Sequence, residues 1–325
     1  MHLLTTPPAD RRHWLRLAAA LAGAGLAARW PAAQAQAGAA APAGRSGRRI
    51  VSIGGALTET LYALGAQDEI VGTDTTSLFP AAALQLPKVG YARSLSAEGL
   101  LSLQPTLVVA TADAGPPTVL RQVQGAGVQL ALLDSDYRFD GVLERTRSLA
   151  TLCAREAAGA ALVAELQAQW QRSQQQVQAL TRAPTGPDAP LRVLFLLSHS
   201  MAQLRVAGSD TAADAMIRFA GAVNVMGTTR GYKPLTPEAA IAAAPDVILV
   251  TDQGLRAAGS VDAILALPGL TQTPAGRQRR IAAQDALLLL GFGPRLPRAV
   301  SALAQALHAT TAARATTAAA PDGTR

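Results

Sequence analysis

The feature that most constrains this chain is an internal repeat. Residues 90–111 read GYARSLSAEGLLSLQPTLVVAT and residues 231–251 read GYKPLTPEAAIAAAPDVILVT. From Leu95 and Leu235 onward the two run without a gap at an offset of 140, so Glu98 falls on Glu238, Pro105 on Pro245 and Thr111 on Thr251. Gly90-Tyr91 matches Gly231-Tyr232 with one residue of slippage. Solenoid repeats recur every ~20 to 50 residues, so copies this far apart do not stack into one. They fit two similar lobes, and two lobes leave a cleft between them where a ligand can sit.

The local patterns give each lobe the same rhythm. In residues 48–139, strands are expected at Arg49–Ile53, Ile70–Gly72, Thr106–Ala110 and Val128–Leu133. Helices are expected after Gly55, over Ser96–Leu103 and over Pro117–Ala126, with Thr58 and Ser96 as candidate caps. Continuous apolar strands alternating with helices predict a parallel sheet covered on both faces. Residues 140–182 break the rhythm with one long helical stretch, interrupted near Cys153 or Gly159. Its second half has no Gly or Pro, and a helix of about 25 residues reaches ~37 Å, the width of a domain. It could bridge two lobes or lie across one. Residues 183–312 repeat the strand–helix pattern after a turn-rich start, APTGPDAP. Residues 313–325 read as a loose tail. The expected class is therefore α/β, with two Rossmann-like lobes joined by a long helix.

The first 37 residues read as an export signal. A basic start, Arg11-Arg12-His13-Trp14-Leu15-Arg16, precedes an apolar run from Leu17 to Ala28, and Ala33-Gln34-Ala35 and Ala35-Gln36-Ala37 offer cleavage sites. The run is too short to span a bilayer, which takes about 20 residues. The arginine pair is twin-arginine-like, and an ordinary Sec leader is the alternative. Residues 38–47 form a lead-in. No cysteine lies near the cleavage site, so an unlipidated, soluble product outside the cytoplasmic membrane is expected. The formal charge of +7 owes part of its excess to this leader, which carries four Arg against one Asp. The rest is spread along the chain, with no basic stripe to suggest nucleic acid. Cys153 is the only cysteine, so neither a disulfide framework nor a cysteine zinc site is possible. Its apolar surroundings predict a buried thiol.

Few residues can carry chemistry. Tyr91 lies in a Gly-Tyr-x-Arg loop at the end of the sheet where α/β folds hold ligands. A phenol titrates near 10, and a neighbouring guanidinium such as Arg93 favours the phenolate, an anionic ligand suited to ferric iron. The alternative is a tyrosine packed on the lobe surface. Tyr232 and Lys233 are the second-lobe counterparts, and Lys233 or Arg230 could meet a ligand carboxylate. His199 follows the buried-looking strand RVLFLLS and is a candidate second metal ligand. His308, on the last helix, reads as surface. Glu98 and Glu238 stand in the first turns of matched helices, where they favour the helix dipole or face a partner's arginines. Gly-x-Ser-x-Gly, His-Glu-x-x-His and phosphate-loop motifs are absent from the sequence. A periplasmic hydrolase using His199 therefore lacks a recognisable nucleophile.

The leader, the long middle helix and the paired Glu-x6-Pro segments resemble the class III periplasmic substrate-binding proteins of ABC importers. RIVSIGGALTETLYALGA, VGYARSLSAEGLLSL, AGPP, GSDTAADAMI and GYKPLTPEAAIAAAPDVIL resemble the haem-binding members in particular. The resemblance covers roughly residues 48–310. It implies a monomeric periplasmic binder that carries ferric haem b in the cleft, performs no reaction, and docks on a permease dimer. It further implies Tyr91 as iron ligand, Arg93 as its support, and Glu98 and Glu238 as the docking pair. Some members use a second-lobe histidine as a further ligand, and His199 is the candidate for that role here, although SHSMAQLRVAG departs from the glycine-rich version. A ferric siderophore or cobalamin binder of the same fold is the nearest alternative.

Overall fold

The computed structural model describes residues 47–182, 189–197 and 204–312. The expected leader, nearly all of the lead-in, the APTGPDAP connector's core, the tail and His199 lie outside these residues.

The first lobe runs β1 (Ile50–Ile53), α1 (Gly55–Ala63), β2 (Ile70–Thr73), the short pair β3 (Gly90–Tyr91) and β4 (Ser94–Leu95), α2 (Ala97–Leu101), β5 (Leu107–Thr111), α3 (Pro117–Gly125) and β6 (Gln129–Leu133). Four strands form a parallel sheet in the order β2-β1-β5-β6. Side chains alternate across it. Leu107 and Val109 of β5 enter one core with Leu57 and Leu61 of α1, whereas Val108 and Ala110 enter the other with Leu100 and Val123. Burial on both faces accounts for the uninterrupted apolar strands.

Two helices follow, α4 (Phe139–Leu152) and α5 (Glu156–Thr181). The interruption expected near Cys153 or Gly159 falls at Ala154, whose φ of 53° is left-handed and ends the first helix. The chain then folds α5 back onto α4, closely enough that a methyl group at Gly159 would overlap Ala150. This pair touches both halves of the molecule. Leu149, Ala150 and Cys153 pack in the first-lobe core, Val163, Leu166 and Val177 pack in the second, and Leu162 borders both. Cys153 is 3% exposed, and burial pushes its thiol up to about 11.

The second lobe contains β7 (Arg192–Leu197), β8 (Arg205–Ala207), α6 (Ala212–Phe219), β9 (Val223–Asn224), β10 (Tyr232–Pro234), α7 (Pro237–Ala243), β11 (Val247–Thr251), α8 (Asp252–Ala258), α9 (Val261–Leu265), α10 (Pro274–Arg277), β12 (Ile281–Gln284), α11 (Ala286–Leu290) and α12 (Leu296–Ala312). Its sheet has the order β10-β8-β7-β11-β12, with β9 beside β7. The centre is parallel, but β8 and β10 add an antiparallel edge, so this sheet is mixed. The reason is local: β8 follows β7 within a few residues, and a connection that short reverses the strand. His308, read as surface, is half-buried on α12, and burial lowers its imidazole pKa.

The repeat extends into hydrogen bonds that no sequence alignment displays. Gln104 and Ala244, at the matched offset, both take left-handed φ, of 48° and 41°, before Pro105 and Pro245. Arg49 donates to the carbonyls of Leu103 and Gln104, ending α2, and Arg192 donates to those of Ala243 and Ala244, ending α7. The backbone amides of the same arginines donate to the side chains of Thr106 and Asp246. Each lobe thus ties the start of its first strand to the end of the matched helix, α2 or α7.

Thr58 does not cap α1. The helix begins three residues earlier, and Thr58 lies buried inside it, bonded to Ser52 and Ser77. The free amides of Gly54 and Gly55 donate instead to Asp74 Oδ1 and Thr76 Oγ1, supplied by the loop after β2. A tertiary cap satisfies the helix terminus, which removes the need for a local one.

Candidate ligand-binding cleft

Tyr91 and Arg93 stand on the β3–β4 hairpin. Tyr91 pairs with Ser94, leaving Ala92-Arg93 as a two-residue turn. The hairpin is held on both sides. Thr75 donates to the Gly90 carbonyl, while Gly115 donates to that of Ala92 and Leu95 donates to that of Gly115. Gly90 has φ of 102°, a conformation that side chains resist, which is the reason for glycine before the tyrosine. On this fixed base Tyr91 is 46% exposed.

Arg93 is oriented by Asp113, which accepts from Nε at 3.0 Å and Nη2 at 2.6 Å on one oxygen. Both side chains are largely exposed, so the pair adds little stability, about 0–1 kcal/mol. Its effect is to fix where the guanidinium points. Burial would raise the Asp113 carboxyl pKa, but the Thr111 hydroxyl and the Arg93 charge outweigh that and hold it below the usual range. Arg93 itself is raised by its bond to Asp113, and the phenols of Tyr91 and Tyr137 act on it in the same direction.

Tyr232 of the second lobe lies within electrostatic reach of this group. Tyr232 of β10 packs partly into the second-lobe core, and its phenol is pushed up to about 12. Burial is the main cause; Tyr137 adds to it, and Arg93 and a hydrogen bond with Thr211 oppose it. Tyr137 is raised by burial and by the Asp113 charge, against the pull of Arg93. Three of the chain's four tyrosines therefore lie in electrostatic reach of one arginine. Tyr137 was not singled out by the sequence. The available signal was its place in LDSDYRFD, directly after β6 and at the same sheet end as the Gly-Tyr-x-Arg loop.

The other sequence candidates are placed as follows. Lys233 is exposed and, by strand alternation, faces the opposite side of β10 from Tyr232. Arg230 pairs with Asp210 at 2.7 Å, both well exposed. Glu98 and Glu238 are exposed at the second positions of α2 and α7, behind Ser96 and Thr236, which accept from Gly99 and Ala239. The two lobes thus present matched carboxylates on matched helices.

Two arginines join the lobes near the cleft. Arg295 donates through Nε and Nη2 to both oxygens of Glu59, each at 2.8 Å, and lies 3.7 Å over the Phe79 ring. Arg145, 7% exposed, donates to the Asp134 carbonyl of the first lobe and to the Phe292 carbonyl of the second. Among the described residues no three His, Cys, Asp or Glu side chains converge as a bare metal ion would require. No helix among them is long and apolar enough to cross a membrane.

Two α/β lobes and a helical link agree with the match of residues 50–286 to the family model described as periplasmic binding protein. The chain belongs to the periplasmic binding protein family. Solved members resemble it along most of its length. The periplasmic heme-binding protein BhuT, solved in complex with two hemes, is 51% identical, covers 82% of this chain and 99% of its own, and has a TM-score of 0.78. The periplasmic heme-binding protein RhuT from Roseiflexus sp. RS-1, solved in apo form, is 41% identical over 81% of this chain and 98% of its own, with a TM-score of 0.76. A cobalamin-binding protein of Halobacterium salinarum is more distant, at 27% identity over 81% of this chain and 70% of its own. This periplasmic binding protein is therefore similar both to proteins described as heme-binding and, more distantly, to one described as cobalamin-binding.

Proposed function

We propose that this protein captures haem in the cleft between its lobes in the periplasm and delivers it to an ABC importer of the inner membrane. The observation that carries this reading is the Tyr91-x-Arg93 hairpin: an exposed phenol beside an oriented guanidinium, at the strand ends, in a chain 51% identical to a periplasmic heme-binding protein. Tyr91 coordinates ferric iron as phenolate, and Arg93 favours that anionic form by its charge. Asp113 keeps Arg93 in place. Tyr232 stays a neutral phenol at any physiological pH and so offers a hydrogen-bond donor and an apolar ring. The protein binds and releases its cargo without chemical change. It is exported without a lipid anchor and works as a monomer, with Glu98 and Glu238 meeting arginines of the two permease subunits.

The test is a hemin titration of the chain from residue 38, followed by absorption spectroscopy, beside Tyr91→Ala. Saturation with a tyrosinate-type ferric spectrum that the variant lacks supports both ligand and site. An absence of saturable binding refutes the haem reading. Binding in the variant with an altered spectrum moves the iron to another ligand, and His199 is then substituted next. The second reading, cobalamin, is favoured by the Halobacterium salinarum relative. Displacement of hemin by cobalamin at equal concentration would favour it. Haem is preferred because cobalamin brings its own axial ligands and has no need of a phenolate.

A further inference from the structure

Tyr137 stands where the two lobes meet. Its ring lies edge-on to Phe292 of the second lobe, with centroids 5.3 Å apart and planes at 62°. It is nevertheless 37% exposed, so one part of the ring is packed and another faces open space. Behind Phe292 the contact continues through Phe219 and Trp170 to Phe139 at the start of α4. The loop that carries Tyr137 is not free to move away. Buried Arg145 donates to the carbonyl of Asp134 at 2.9 Å, to Asp136 Oδ1 at 3.4 Å, and to the carbonyl of Phe292 at 3.0 Å. One guanidinium thus fixes both partners of the aromatic pair. A partly exposed aromatic ring, packed edge-on to Phe292 and within electrostatic reach of Arg93, is a prepared surface for a flat apolar ligand, because a ring already packed on one side loses less side-chain entropy on binding.

Resting on the haem reading above, we infer that Tyr137 is a further ligand-contacting residue of the cleft, its ring packing against the bound porphyrin while Arg145 acts as a positioning residue for its loop. The contact is with the macrocycle and not with the metal. Burial and the Asp113 charge raise the phenol's pKa against the pull of Arg93, which suits the ring to packing.

The experiment titrates hemin and metal-free protoporphyrin IX into the full chain and its variants. Tyr137→Phe keeps the ring and should bind both porphyrins within about twofold of the unmodified protein. Tyr137→Ala should bind both roughly tenfold more weakly, the scale of one lost aromatic contact plus its burial. Tyr91→Ala should weaken hemin and spare the metal-free porphyrin. Arg145→Lys, with the ring intact but its loop released, should weaken both porphyrins by a smaller factor. If Tyr137→Ala fails to fold, Tyr137→Leu preserves apolar volume without the flat face, and the same weakening is expected. Unchanged affinity for both porphyrins overturns the inference. A loss confined to hemin also overturns it, because the residue would then act through iron. If the unmodified protein binds the metal-free porphyrin but not hemin, the iron-ligand reading fails while the ring contact is still measured. If it binds neither, both fall.

Discussion

The Glu59–Arg295 pair offers the sharpest test of how the lobes are held. Arg295 makes three hydrogen bonds to the Glu59 carboxylate, two from the guanidinium and one from its own amide, and its other face covers Phe79. Glu59 is on α1 of the first lobe; Arg295 precedes α12 of the second. Their side chains are 6% and 22% exposed, so water screens the pair only partly. Glu59→Gln keeps the shape and one acceptor but removes the charge and turns an amide donor toward the guanidinium. Breaking one partner of a buried pair costs about 3–5 kcal/mol, and the partial exposure of Arg295 argues for the lower end, ~3 kcal/mol. At roughly 2 °C per kcal/mol for a chain of this size, the melting temperature should fall by about 6 °C. Urea denaturation of Glu59→Gln, Arg295→Met and the double variant completes a cycle. A coupling of about 2 kcal/mol is expected, because Arg295 also contacts the Phe79 ring outside the pair. A coupling below about 0.5 kcal/mol would place the pair among exposed ion pairs of little worth and refute the reasoning.

Other consequences can be checked separately. Because burial lifts the Cys153 thiol from 9.0 to about 11, folding is favoured fully below pH 9 by this group, and that contribution is lost as pH rises through 11. The folded protein should therefore resist a thiol-specific disulfide reagent at pH 8 and react promptly in denaturant; prompt reaction without denaturant would contradict the burial. Reversing Glu98 and Glu238 together to Lys should abolish haem uptake while leaving hemin affinity within about twofold, since both are exposed in the first turns of α2 and α7; persisting uptake would remove the docking role.

Much of the architecture was legible because it is local. Apolar strands such as Leu107–Thr111 and Val247–Thr251, each followed by a helix, announce a sheet buried on two faces, and the structure buries alternate side chains on each face. Ser96 and Thr236 cap their helices through amides three residues away, a distance sequence can read. Where sequence reasoning failed, the deciding partner was remote. Thr58 looked like a cap until Asp74 and Thr76 took that task from the next loop. The interruption expected near Cys153 or Gly159 does occur, at Ala154, but only the fold shows that α5 turns back onto α4, with Gly159 allowing close approach to Ala150. The mixed second sheet follows from a chain reversal that apolar periodicity does not encode.

The cleft divides in the same way. Tyr91, Arg93, Glu98 and Glu238 stood out because they recur in, or beside, a repeated segment. Asp113, Tyr137, Arg145 and Arg295 did not, because nothing near them in the chain marks them. Their partners are remote: Asp113 is 20 residues from Arg93, Phe292 is 147 from Arg145, and Glu59 is 236 from Arg295. Periodicity and capping report on neighbours within a turn or a strand, so sequence alone determined two α/β lobes and the loop that bears Tyr91. Only tertiary structure decided which charges orient that loop, which aromatic rings face it, and what holds the lobes together, because those interactions exist only once distant segments are packed.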